Sequence, residues 1–127
     1  MKYIFNILTI TLLLVTSSCV QETHVKTVTI KLDMNGVYII ENVCIKGNFT
    51  NPSWKQIIPL TDENKDGIYE TTFHQKTAVN SIQFKFVNQG EYELKGQPNR
   101  TLAFAYKPET ITYEAVFNTP HGKTIIH

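Results

Sequence analysis

The sequence predicts an all-β fold, an immunoglobulin-like β-sandwich of seven to eight antiparallel strands preceded by a signal peptide. Three observations carry the β-sandwich. Apolar and polar residues alternate with period two in several stretches, the pattern of half-buried strands. Turn-forming clusters recur about every eight to twelve residues, as in small sandwiches. No stretch shows a sustained helical period, low complexity or an internal repeat.

The leader comes first. Met1-Lys2-Tyr3 is followed by an apolar run from Ile4 to Val15 and then by Thr16-Ser17-Ser18-Cys19. That is the charged, apolar, small-residue order of an export signal. The run is shorter than the roughly 20 apolar residues that cross a bilayer. Residues 1–18 therefore read as a signal peptide, 19–24 as a polar tether and 25–127 as one domain. Cleavage before Cys19 leaves 109 residues with 11 basic and 11 acidic side chains, formally neutral. Such a length supports one core and no second domain, and neutrality gives no basis for nucleic-acid binding.

Val28, Ile30 and Leu32 alternate with Thr27, Thr29 and Lys31 as the first strand. Met34-Asn35-Gly36 is a turn, and Val37 to Lys46 is a β-branched extended stretch with a break near Glu41-Asn42. Gly47 to Ser53 is a loop rich in Asn, Gly and Pro. Lys55 to Leu60 and Ile68 to Phe73 flank an acidic tip ending in Asp66-Gly67 and read as a hairpin. Ile82, Phe84 and Phe86 alternate with Gln83 and Lys85 in the clearest strand, which Asn88-Gln89-Gly90 turns into a short edge at Glu91 to Leu94. Thr101 to Tyr106 and Thr110 to Phe117 complete the set.

Cys19, directly after small residues at the end of the apolar run, resembles the lipobox cysteine of bacterial lipoproteins, with Thr16 standing where leucine is commonest. The resemblance implies lipidation of Cys19 and a cell-envelope location. Val20, in place of the aspartate tied to inner-membrane retention, favours the outer membrane. With Cys19 acylated, Cys44 has no intramolecular disulfide partner, and its apolar setting in Val43-Cys44-Ile45 points to a structural role.

Three further segments are informative together: Gly47-Asn48-Phe49 followed by Trp54, Phe84-Lys85-Phe86, and Tyr92-Glu93 leading to Pro98-Asn99-Arg100. Their order resembles the starch- and glycogen-binding modules of carbohydrate-binding families 20 and 48. Trp54 stands seven residues after Gly47 rather than five, and Tyr92 stands where those modules usually carry tryptophan. The later tryptophan followed by Ile58-Pro59-Leu60 is similar to modules in starch-binding outer-membrane lipoproteins. The resemblance implies an α-glucan partner, with Lys85 and Asn99 as sugar contacts.

Chemistry supplies a reason for that set. A glucose ring has an apolar C–H face and a hydroxyl rim, so its binder needs aromatic faces and a few donors and acceptors. Trp54 and Tyr92 are the candidate stacking surfaces, expected to be exposed and coplanar near Lys85. Strand parity turns Lys85 away from the core, Asn99 offers an amide, and Glu93 is either a hydroxyl acceptor or a solvated charge.

Other chemistries fit poorly. Asp62-x-Asn64-x-Asp66-Gly67 copies half of a calcium loop, but Phe73 occupies the position of the bidentate glutamate. The four histidines have no ligand spacing, and neither Ser53 nor Ser81 sits in a nucleophile motif. Glu91 and Glu93 on one exposed edge do not bracket a scissile bond. The expectation is therefore a non-catalytic, lipid-anchored glucan binder without metal or cofactor, working beside a glycan transporter or hydrolase complex. The alternative is a structural or protein-interaction domain of the same fold without glycan binding.

Overall fold

A computed structural model describes residues 20–127. The signal segment 1–18 and the lipidation candidate Cys19 lie outside the described residues. Among those described there is no helix, and nine strands form two sheets. In chain order they are β1 (His24–Asp33), β2 (Cys44–Gly47), β3 (Ile58–Pro59), β4 (Ile68–Thr77), β5 (Ser81–Asn88), β6 (Glu91–Tyr92), β7 (Arg100–Ala103), β8 (Glu109–Val116) and β9 (Lys123–Ile126).

The first sheet runs β4-β1-β8-β9. Strand β1 is central because every second residue from Lys26 to Leu32 is buried, the expected alternation extended by one position. The second sheet runs β3-β2-β5, with β6 and β7 both pairing the far side of β5. Ile82, Phe84 and Phe86 of β5 face Val28, Ile30, Leu32, Ile111 and Tyr113 across the core. Phe84 contacts Phe86 and Tyr113 edge-on, with centroids 5.7 and 5.2 Å apart, a favoured aromatic geometry.

The sandwich is as expected, and four details differ. Strands β1 and β8 run parallel, so the first sheet is mixed rather than wholly antiparallel. The segments around Asp62–Gly67 are not a hairpin within one sheet: β3 pairs β2, β4 pairs β1, and a lone Thr61–Glu70 bridge joins the approach. The chain crosses between sheets there. The Asp62 carboxylate accepts the Asp66 and Gly67 amides at 3.2 and 2.9 Å and shapes the turn at that crossing. Residues 37–43 form no strand, and Asn42 has a positive φ of 52°. Strand β9 adds an edge absent from the sequence reading.

One buried charge pair closes the end where β1 begins. Lys26 is 1% exposed, and its ammonium donates to Glu109 Oε1 at 2.7 Å, to the Ala105 carbonyl at 2.5 Å and to the Lys107 carbonyl. Glu109 also accepts the Ala105 amide at 2.7 Å. Desolvating both charges is offset because all three ammonium protons of Lys26 are taken up and Glu109 Oε1 accepts two bonds. Glu109→Ala is therefore expected to lower unfolding free energy by about 3–5 kcal/mol, the cost of leaving a buried charge without its counterion. Urea titration checks this, and a loss below about 1 kcal/mol would contradict a structural role for the pair.

Candidate functional site

The outer face of the second sheet gathers four of the sequence-selected residues. Trp54, Lys85, Tyr92 and Asn99 line one open hollow of about 310 Å³. They come from four places in the chain, and a separate local constraint presents each.

Trp54 is presented by the loop after β2. The Gly47 carbonyl accepts the Trp54 amide at 2.8 Å and the Thr50 hydroxyl at 2.9 Å, which curls the chain back on itself. Gly47 has no room for a side chain: a Cβ there would lie 2.5 Å from the Gln83 carbonyl and 2.7 Å from Phe49. Phe49 is freed to stack on Phe73 at 4.9 Å, beneath the loop. Trp54 itself has φ = 63°, a left-handed conformation that costs a bulky residue roughly 1–2 kcal/mol. The hydrogen bond to Gly47 holds it there.

Lys85 points outward as strand parity requires, yet its ammonium is already engaged. It donates to the carbonyls of Leu94 at 3.0 Å and Gln97 at 2.9 Å. Two of its three protons thus fasten the loop that carries Asn99, and the third remains for a ligand. Asn99 is exposed and its amide donates to Gln83 Oε1 at 3.4 Å.

Tyr92 is 39% exposed, and its hydroxyl donates to the Trp54 carbonyl at 3.3 Å. The two rings lie 6.2 Å apart but are inclined at 68°. The expected coplanarity is corrected: the platform is a corner, because the left-handed turn at Trp54 and the strand position of Tyr92 orient the rings independently. Lys46, which sequence reasoning missed, sits across from Lys85 in the β2–β5 register and places its ammonium 5.6 Å from the Tyr92 ring centre. The signal was available in its alternation with the buried Ile45 and Gly47.

Glu93 is the other correction. It is 2% exposed and belongs to the interior, neither a surface acceptor nor a solvated charge. Its carboxylate accepts Arg100 Nε at 2.7 Å and an Arg100 terminal nitrogen at 2.9 Å, plus the amides of Phe86 at 3.0 Å and Asn118 at 2.9 Å. With both oxygens doubly engaged, no lone pair is left for a hydroxyl of a ligand. Arg100 in turn donates to the Val116 and Thr119 carbonyls and to the Tyr113 hydroxyl, and lies 5.3 Å from the Phe86 ring. Burial alone would weaken its proton affinity, but the bonds to Glu93 and Tyr113 outweigh that and hold the guanidinium more firmly charged than usual. The charged members of Tyr92-Glu93 and Asn99-Arg100 form the anchor, and their neighbours reach solvent.

Cys44 lies on the same sheet face but is buried, and desolvation raises its thiol pKa despite the nearby Lys46. The thiolate is disfavoured, consistent with a packing role.

No protein-family model and no curated protein sequence matches the chain. Among solved structures it is similar to CBM25-2 of beta/alpha-amylase from Paenibacillus polymyxa, at 15% identity and a TM-score of 0.50, over 82% of this chain and 94% of that one. CBM25-1 of the same enzyme aligns at 17% identity and a TM-score of 0.47, over 81% and 93% of the two chains. At such identity the first likeness establishes a shared β-sandwich fold.

The anchor and the surface residues are separable. Glu93→Ala is expected to cost about 3–5 kcal/mol, because Arg100 is left buried without a counterion. Asn99→Ala is expected to stay within about 0.5 kcal/mol of the parent, as exposed substitutions do. Equal losses for the two in chemical denaturation would show that Glu93 is not the anchor.

Proposed function

We propose that this chain is a non-catalytic binder of a starch-like α-glucan, held at the cell-envelope surface by a lipid on Cys19, with the outer membrane favoured. The observation that carries the reading is the corner of two aromatic rings, Trp54 and Tyr92 at 68°, with Lys85 and Asn99 on the same hollow. Each ring offers a flat apolar surface to the C–H face of a sugar, and the ammonium and amide meet its hydroxyls.

The angle selects among glycans. A β-1,4-linked glucan is a straight ribbon, with successive ring faces close to parallel planes. An α-1,4-linked glucan curves, so neighbouring units turn their faces toward different directions. Two platforms inclined at 68° suit the curved chain. The fold shared with CBM25-2 of an amylase, and the motif order similar to families 20 and 48, support the same reading.

On this reading the tether leaves from the end opposite the site. Strand β1 begins at His24, whose ring packs edge-on against Tyr106 at 4.6 Å, whereas its other end, at Asp33, meets Phe117 and so lies near Asn118 and Glu93. Tyr92 is therefore carried toward the end away from the anchor. A shallow two-ring site binds weakly, with Kd roughly in the millimolar to micromolar range, and many copies on one surface raise effective affinity. The chemistry on the captured polymer then belongs to a neighbouring transporter or hydrolase.

On an immobilised amylose column the wild-type protein is expected to be retarded. Trp54→Ala and Tyr92→Ala are each expected to weaken retention at least about tenfold, equivalent to about 1.4 kcal/mol. Lys85→Ala is expected to weaken it less, with added disorder in the loop its ammonium fastens. Wild-type protein eluting with the void on amylose and glycogen alike would overturn the reading.

A further inference from the structure

We propose that the glucan site does not end at Tyr92 but continues into a second hollow on its far side, so that one chain of several sugar units occupies both; this extension rests on the α-glucan reading above. The first hollow, about 310 Å³, is at the low end of the roughly 300–1,000 Å³ typical of ligand pockets and suits a short segment of chain. The second, about 720 Å³, shares Tyr92 as a wall and is lined by Gln89, Glu91, Lys95, Gln97 and Phe117 among others.

Its composition repeats the chemistry of the first. Phe117 is half-buried and gives an apolar floor, while the exposed Gln89 and Gln97 give amide donors and acceptors at the rim. The rim charges cancel, since Lys95 pairs with Glu91 at 2.5 Å. The two buried polar residues of its lining have their groups engaged inside the protein: Glu93 by Arg100, Phe86 and Asn118, and Asn88 by the Glu41 amide at 2.9 Å and the Ile39 carbonyl at 2.8 Å. A lining of amides, a neutralised ion pair and an aromatic floor fits an uncharged, hydroxyl-rich chain better than a uronate or sulfated one.

The two hollows are also mechanically joined. Lys85, a donor of the first, is hydrogen-bonded to the backbone of Gln97, which lines the second. Ordering one side therefore helps order the other. A chain long enough to pass Tyr92 gains contacts that a short one lacks, without a second independent site.

Calorimetric titration with maltotriose and maltoheptaose tests this. A three-unit site sliding along a seven-unit chain favours the longer sugar by roughly fivefold through the number of registers alone, whereas a continuous site is expected to favour it by about thirtyfold. The double variant Lys95→Ala/Gln97→Ala is expected to keep its maltotriose affinity and thermal midpoint while its preference falls to about fivefold. A wild-type preference of about fivefold or less, or a variant that keeps the wild-type preference, overturns the extension and leaves the first hollow intact. Failure of the wild type to bind either sugar overturns the α-glucan reading, and the extension with it.

Discussion

The buried ion pair between Glu93 and Arg100 is the constraint on which the candidate site depends. Both side chains are almost fully buried, and the bidentate contact at 2.7 and 2.9 Å is the strong, directional form of the interaction. It lies where β6, β7 and the end of β8 converge, and Arg100 reaches the Val116 and Thr119 carbonyls as well as the Tyr113 hydroxyl. A buried pair is poor evidence of net stabilisation, because desolvation consumes much of the Coulombic gain. Its effect here is on geometry. With Glu93 and Arg100 fixed inside, Tyr92 and Asn99 are placed at the surface, and the intervening loop must pass over Lys85, which bonds it twice.

The opposite wall of the hollow is built by a different device. Gly47 allows Gln83 and Phe49 to approach its backbone, and its carbonyl fastens a loop that forces Trp54 into a left-handed conformation. A bulky residue held at positive φ is a local cost that persists where surrounding bonds over-determine it. The Tyr92 hydroxyl then reaches the Trp54 carbonyl, closing the corner between the two rings. Two unrelated restraints, one ionic and interior, one a strained turn, set the angle at which the platforms meet.

Much of this architecture was legible in the sequence, for reasons that also explain the failures. Period-two alternation in β1 and β5, with recurrent turn clusters, gave the sandwich and put Lys85 on the outer face, because parity is a local property. The parallel β1–β8 pairing was not legible, since register between strands about 80 residues apart leaves no local trace. Asp66-Gly67 correctly marked a turn, but a turn does not say whether its flanks share a sheet. Trp54, Lys85, Tyr92 and Asn99 were named from sequence, and the fold brings them to one hollow. Glu93 was misplaced because a charged residue is ordinarily exposed, and its counterion lies beyond the intervening loop.

Glucan capture at this hollow requires Trp54 to face the sugar, and the chain offers a clean probe of that, because Trp54 is its single tryptophan. Intrinsic fluorescence, titrated with an α-1,4-linked glucan oligosaccharide and separately with a β-1,4-linked one of equal length, reads this side chain without labelling. The account predicts a saturable change in Trp54 emission with the α-linked sugar, reaching its midpoint between roughly micromolar and millimolar concentration, and little or no change with the β-linked one. An emission spectrum indifferent to the α-linked sugar throughout that range would contradict it.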